Sequence, residues 1–270
     1  MRGNWQRWTV ALAAGVLVAS VALAQEVAFK DPTGDDNGPG TYTYPTDTVY
    51  KSGSFDLTSL TVTEKGGKVT FEVGVNSTLE DPWRMGTGFS VQMVFVFVKT
   101  GTAGGNTKGI PGTNVQFAAD AGWDKCVILS PQGASRVKAE VDSKAADLKS
   151  SIVIPTRVKG SGRTISATVD KKELGEGDVT KWGYQVIMQS NEGFPDAKDL
   201  LTRKVNEFEG QHRFGGGNDG DCDPHVMDIL AGNGTGDKAE IGLQHEMLKY
   251  ECNADGTPKA LATLKMVYKK

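Results

Sequence analysis

Three carboxylates lie close together in the glycine-rich segment DPTGDDNGPG, at residues 31–40, where they could bind a cation. They belong to Asp31, Asp35 and Asp36, and the glycines let the backbone turn so that carbonyl oxygens also point inward. Calcium requires such a set, because it takes about six to eight oxygen ligands at flexible geometry. We therefore expect a structural calcium site formed by these three residues. The alternative is a turn-rich loop in which the acids accept hydrogen bonds from backbone amides.

A second acidic segment, FGGGNDGDCDPHVMDIL at residues 214–230, holds four aspartates and a histidine within ten residues, and three consecutive glycines precede them. Its members are Asp219, Asp221, Asp223, His225 and Asp228. The segment could share a cation with the first one. A solvated acidic turn held by a disulfide is an equally good interpretation, and a lone histidine near acids does not indicate a catalytic dyad.

Two tryptophans that lie beside turn residues could contact a sugar. Trp83 follows Asp81-Pro82, and Trp123 lies between Gly122 and Asp124. A flat ring next to a hydrogen-bonding side chain suits stacking on a sugar face. We expect Trp83 and Trp123 to form a saccharide surface, with Asp81 and Asp124 as acceptors for sugar hydroxyls. Alternatively the rings seal the ends of the domain; Trp182 is a weaker candidate for the surface.

Motifs for catalysis and for nucleic-acid binding are absent from the sequence. It contains no GxSxG, HExxH or GxxxxGK[ST] pattern, and its three histidines do not have metal-ligand spacing. The formal charge is −3, with basic residues interleaved among acids, whereas phosphate binding needs a concentrated basic surface. We therefore expect a non-catalytic protein without a nucleic-acid partner. A hydrolase that uses two carboxylates remains an alternative.

The first residues have the pattern of a secretory signal peptide. Arg2 and Arg7 precede an apolar stretch, and small residues at 22 and 24 mark a cleavage site after Ala24. We expect residues 1–24 to be removed, leaving residues 25–270 as one domain with no membrane span. The location would be secreted, periplasmic or at the cell surface.

Three cysteines follow this segment, which in an oxidising compartment allows one intramolecular pair. Cys222 and Cys252 lie in polar, turn-rich sequence, where a cross-link would hold loops that bury little apolar surface. Cys126 begins an apolar run. We expect a disulfide between Cys222 and Cys252 and a buried thiol at Cys126.

The periodicity predicts mostly strands. Apolar and polar residues alternate over 68–75, and the run 89–98 is apolar on both faces, as in a strand covered on both sides. Further strands are expected at 55–63, 136–141, 151–158, 163–169 and 183–190, with 261–268 closing the sheet. Short helices are expected at 170–173 and 241–250. The predicted fold is all-β: an antiparallel β-sandwich of the jelly-roll or immunoglobulin-like kind with long decorated loops.

At four of these segments, residues 31–62, 81–98, 111–124 and 213–230, the chain resembles the glucodextranase C-terminal-like modules. These are related to the wider DOMON and family-nine carbohydrate-binding sandwiches. The resemblance implies a β-sandwich of a secreted or cell-surface protein, associated with polysaccharide hydrolysis or envelope attachment and without catalytic residues. Related sandwiches use aromatic residues for sugar and often hold structural calcium.

These expectations combine into an exported module that binds a polysaccharide or a cell-wall glycan. The resemblance also implies an alternative, because DOMON-type sandwiches can hold haem or a small redox ligand between a methionine and a histidine. The candidates for that role are Met85, Met93, His212 and His225.

Overall fold

The computed structural model of the chain describes residue 1 and residues 24–101, 105–220 and 222–270. The predicted signal peptide lies almost entirely outside the described residues, so cleavage after Ala24 stays a prediction. No helix in the described ranges is both long and apolar enough to cross a membrane.

Fourteen strands and three helices are found in the described residues. The strands are β1 (Gln25–Lys30), β2 (Leu57–Lys65), β3 (Lys68–Val75), β4 (Gln92–Lys99), β5 (Val115–Phe117), β6 (Lys125–Leu129), β7 (Ile152–Val153), β8 (Val158–Ser161), β9 (Thr164–Asp170), β10 (Gly183–Ser190), β11 (Asp228–Ile229), β12 (Glu251–Cys252), β13 (Pro258–Ala260) and β14 (Ala262–Leu264). The helices are α1 (Ala134–Lys144), α2 (Lys171–Leu174) and α3 (Ala239–Met247).

Two five-stranded sheets form the sandwich. The first has the order β1-β2-β3-β9-β8 and is antiparallel throughout, and the second has the order β11-β10-β4-β6-β7, in which only β6 and β7 run parallel. Alternate residues of β2 and β3 are buried, so the first sheet presents one apolar face to the core. The predicted all-β sandwich is confirmed.

The second sheet is buried on both faces. Val94, Val96 and Val98 of β4 point into the core between the sheets, while Phe95 and Phe97 belong to a second hydrophobic cluster on the outer face. Residues 110–123, α1 and the C-terminal segment cover that cluster. Because both faces of β4 are covered, its sequence is an uninterrupted apolar run, and the prediction of a strand covered on both sides is confirmed.

Three strand predictions differ from the structure, and one of them, at 151–158, contains only the two-residue β7 and the first residue of β8. Residues 136–141, predicted as a strand, lie in α1, because Val137 and Val141 are one helical turn apart and face the second cluster together. Ion pairs such as Arg136–Glu140, at 2.8 Å, add support on the solvent side. The segment 261–268 forms no long closing strand: β14 pairs in parallel with the short β5, and Val267 pairs with Tyr184 of β10 through backbone hydrogen bonds of 2.8 and 2.7 Å.

A disulfide joins Cys222, in the loop between β10 and β11, to Cys252 in β12, and Cys126 is a buried thiol. Burial raises the pKa of the Cys126 thiol well above its ordinary value, which suits an inert core residue.

Candidate functional site

Three aspartates from distant parts of the chain meet inside the sandwich. Asp31, Asp35 and Asp228 each offer a carboxylate oxygen, and these oxygens all lie within 4.8 Å of one another. Only 5% of Asp31, 1% of Asp35 and none of Asp228 is exposed. We call this group the carboxylate cluster. A fourth buried acid, Asp56, lies beside it and interacts electrostatically with the other three.

Elements of both sheets position the cluster. Asp31 directly follows β1 of the first sheet, whereas Asp228 begins β11 of the second. Asp228 accepts the backbone N–H of Leu57, at the start of β2, at 2.7 Å, which ties the sheets together at this point. Gly34 turns the intervening loop with a φ of 88° and donates its N–H to Asp56 at 2.8 Å.

The environment of the cluster disfavours negative charge. Removal from water is the main cause that raises the pKa of Asp31 to about 9 and that of Asp35 to about 7, and neighbouring acids, including Glu240, add repulsion. Burial likewise raises the pKa of Asp228 and Asp56. Without a bound cation, Asp31 is therefore mostly protonated at neutral pH and Asp35 is about half ionised, and a cation would favour the ionised form of both.

The structure brings together only two of the three predicted calcium ligands. Asp36 is half-buried and its carboxylate accepts a hydrogen bond from the Tyr44 hydroxyl, outside the cluster. Its place is taken by Asp228, from the second acidic segment. Sequence spacing favoured Asp36 because it is adjacent to Asp35, but the two side chains of adjacent residues leave the loop in different directions.

A second candidate site is a cleft of about 420 Å³ between loops at one edge of the sandwich. We call it the aromatic groove. Trp83 and the highly exposed Phe194 both line it, together with the backbone of Gly193 and with polar and sulfur-containing side chains: Met85, Gln132, Asn191, Glu192, Arg203 and His212. A more strongly charged cavity of about 300 Å³ adjoins it and shares Glu192, Phe194, Arg203 and His212.

Packing and ion pairing hold the floor of the groove in place. Trp83 is half-buried and meets Tyr50 edge to face, with 6.2 Å between ring centroids, and Tyr50 in turn contacts His212 at 5.8 Å. Arg203 pairs with Glu192 at 2.7 Å and lies over the Tyr50 ring. These contacts leave the Trp83 side chain and Gln132 facing a cavity of small-ligand size.

Trp123 does not lie on a surface, contrary to the sequence-based expectation. The side chain is fully buried in the second hydrophobic cluster, against Phe97, and its indole N–H donates to the Lys108 carbonyl at 2.8 Å. Trp83 packs against the other cluster, between the sheets. The two rings therefore cannot form one platform. Trp182 is also buried, with Lys171 over its ring.

The two aspartates predicted to accept sugar hydroxyls serve the backbone instead. Asp81 accepts the N–H groups of Met85 and Gly86, both at 2.7 Å, and also accepts from the Ser90 hydroxyl. Asp124 accepts the backbone N–H of Thr100 at 2.8 Å and its hydroxyl at 2.9 Å. Neither lines the aromatic groove.

Sequence reasoning missed Phe194 and the segment around it. Phe194 follows the buried strand β10 in the sequence NEGFPD, and it is 95% exposed. A large apolar residue between glycine and proline, in an otherwise polar loop, was a detectable signal, because glycine and proline favour loops, which lie at the surface.

The four residues considered for haem divide into two groups. Met93 and His225 are buried, and His225 accepts the backbone N–H of Val205 at 3.2 Å. Met85 and His212 both line the aromatic groove.

Comparison with known families finds a match that covers most of the chain. A sequence model described as the C-terminal binding module, SLH-like, of glucodextranase matches residues 27–266, which is nearly all of the sandwich. No curated protein matches the chain.

Proposed function

The chain belongs to the family of SLH-like C-terminal binding modules of glucodextranase, and we propose that it is an exported, non-catalytic module that binds a polysaccharide or a cell-wall glycan. The family consists of binding modules rather than catalytic domains. Membership supports a binding role, and the carbohydrate ligand, its site and export are the proposal.

The observation that carries the proposal is the pairing of Trp83 and Phe194 around one cleft. Sugars present apolar C–H faces and polar hydroxyl edges, so a sugar site needs flat rings together with hydrogen-bonding groups. The aromatic groove offers both: two aromatic side chains, the amide of Gln132, and the Arg203–Glu192 ion pair.

Phe194→Ala tests the site without disturbing the fold. Because the side chain is 95% exposed, its removal should leave the melting temperature unchanged, while loss of an aromatic contact worth about 0.5–1.5 kcal/mol should weaken glycan binding about two- to tenfold. Wild type is first applied to an array of storage and cell-wall polysaccharides that includes dextran. The affinity of each variant for the best ligand is then measured by calorimetry.

Phe208→Ala is the matched control. Phe208 is 69% exposed and does not line the groove, so its replacement should change neither stability nor affinity. Wild type that binds no glycan on the array would refute the function, and equal affinity of wild type and Phe194→Ala would refute the site.

Export and location complete the proposal. The signal-like segment at residues 1–24 and the Cys222–Cys252 disulfide support a secreted, periplasmic or cell-surface protein, since disulfides persist in oxidising compartments. Mass spectrometry of the mature protein should find Gln25 as its first residue. Recovery of the chain with Met1 intact from the envelope would contradict cleavage.

One observation supports a second candidate function, the binding of haem or a small redox ligand. Met85 and His212 line the same cleft, and both side chains can ligate haem iron. The hydrogen-bonding groups of the groove, Gln132 and the Arg203–Glu192 ion pair, suit sugar hydroxyls, whereas the aromatic and apolar part of its lining would suit either ligand. Absorbance after incubation with haemin and removal of the unbound haemin by gel filtration separates the two: a Soret band that elutes with wild type and is lost in His212→Ala would support haem, and its absence would leave the glycan.

A further inference from the structure

We propose that the carboxylate cluster is a calcium site that joins the two sheets, with Asp31, Asp35 and Asp228 as ligands. Each residue contributes an oxygen to a group whose members lie within 4.8 Å of one another. Two ligands of one calcium ion can be at most about 5 Å apart, because calcium–oxygen distances are about 2.3–2.6 Å. The oxygens are thus already within range of a single shared ion.

Unsatisfied oxygens point to a missing positive charge. Asp31 Oδ2 and Asp35 Oδ1 are buried and find no hydrogen-bond donor among the described residues, and the same holds for Oδ1 of the adjacent Asp56. Buried carboxylates are normally paired or coordinated, because leaving one unpaired carries a large desolvation cost. The charged groups that act most strongly on Asp31 are themselves acids. A bound cation would satisfy these oxygens.

The donor set identifies the class of ion. All three ligands are carboxylates, and the group contains no histidine or cysteine, which disfavours zinc and copper. Magnesium demands near-ideal octahedral geometry and usually keeps several waters, whereas calcium accepts irregular oxygen sets. A buried, three-carboxylate site therefore favours calcium over magnesium.

The positions of the three ligands in the fold indicate a structural role for the ion. Asp31 lies at the end of β1 in the first sheet, Asp35 in the loop that follows, and Asp228 in β11 of the second sheet. An ion held by all three would link both sheets and the loop at one point. Binding requires the folded arrangement, so calcium should stabilise the folded state.

Adjacent aspartates provide a matched pair of variants. Asp35→Asn removes one charge from the cluster, and Asp36→Asn makes the same change one residue later, where an asparagine oxygen can still accept the Tyr44 hydroxyl. Calcium-free protein is titrated with calcium chloride, and separately with magnesium chloride, by calorimetry. Melting temperatures are recorded for each variant with and without calcium.

Wild type and Asp36→Asn should bind one calcium ion per chain, more tightly than magnesium, and should melt at a higher temperature with calcium. Asp35→Asn should bind calcium at least tenfold more weakly and lose most of that rise. Without calcium it should melt no lower than wild type, because a buried charge has been removed. No calcium binding by wild type, or equal loss in both variants, would overturn the proposal, whatever glycan the groove binds.

Discussion

At the scale of the residue, an aspartate beside a turn can bind a ligand or accept hydrogen bonds from its own loop. The hydrogen bonds in this structure show which of the two each aspartate does. Both oxygens of Asp81 are occupied by the loop that carries Trp83, through the N–H groups of Met85 and Gly86. Asp81 therefore acts on the aromatic groove only by positioning Trp83. Asp31 and Asp35 show the opposite case, since each keeps a buried oxygen without a donor among the described residues.

Asp81→Ala should lower the free energy of unfolding by about 1–3 kcal/mol, because at least two backbone donors lose a charged acceptor. It should also weaken glycan binding, since the Trp83 loop loses its anchor. Urea unfolding and calorimetry on the same preparation would measure both effects.

Asp124→Ala is the control, because Asp124 accepts two hydrogen bonds from Thr100 away from the groove. It should lose stability comparably and keep its glycan affinity. Weaker binding in Asp124→Ala but not in Asp81→Ala would reverse these assignments.

At the scale of the element, loops rather than strands carry both candidate sites. The strands of the first sheet bury one face, and those of the second bury both, so few of their side chains are available to a ligand. Side chains that can meet a ligand come instead from the long segment between β10 and β11, which contributes Phe194, Arg203 and His212 to the groove. Its C-terminal part includes Cys222, which is cross-linked to β12.

Removal of the disulfide by Cys222→Ala with Cys252→Ala should cost about 3–4 kcal/mol in the chain-entropy treatment, since the bond spans 30 residues. The cost should appear in the urea midpoint of the variant relative to wild type. The β12–β13 hairpin lies at the periphery, so the groove should keep its glycan affinity.

Thiol counting provides the independent check of this pairing. Denatured but unreduced wild type should show one free thiol, that of Cys126. Three free thiols, or an unchanged urea midpoint in the double variant, would contradict a stabilising bond.

At the scale of the whole molecule, the carboxylate cluster couples stability to pH. In calcium-free protein the folded-state pKa values, about 9 for Asp31 and about 7 for Asp35, lie above the ordinary value of 3.8 that applies to the unfolded chain. The folded state then binds more protons than the unfolded state between these limits. The stability that this extra proton binding contributes is fully present below about pH 4 and decreases as the pH rises toward 9.

The free energy of unfolding of calcium-free protein, measured with urea at pH 5, 7 and 9, should therefore decrease as the pH rises. Each of the two aspartates contributes at most about 1.4 kcal/mol for each unit by which its pKa is raised. Saturating calcium should remove the decrease, because the ion binds the deprotonated carboxylates. Asp35→Asn should show a shallower decrease than Asp36→Asn. A calcium-free protein that is as stable at pH 9 as at pH 5 would contradict this account.

The sequence by itself determined the sandwich, because alternation over β3 and the doubly apolar run of β4 follow directly from which faces are buried. It also determined the disulfide pairing and the presence of an acidic site that includes Asp31 and Asp35. These features depend on local pattern, composition or short spacing, which one chain displays without its partners. The strand predicted at residues 136–141, which lie in α1, shows the limit of local patterns, since apolar residues at 137 and 141 share a face in a strand and in a helix alike.

Only the tertiary structure decided which residues meet. Asp228 joins Asp31 and Asp35 across about two hundred residues, because β11 and β1 lie on facing sheets. Trp83 and Trp123 look alike in sequence, yet one lines a cleft while the other fills the core behind the second sheet. Phe194 lines the groove because the long loop between β10 and β11 folds back. Such contacts depend on how sheets stack and loops fold back, which local periodicity does not encode.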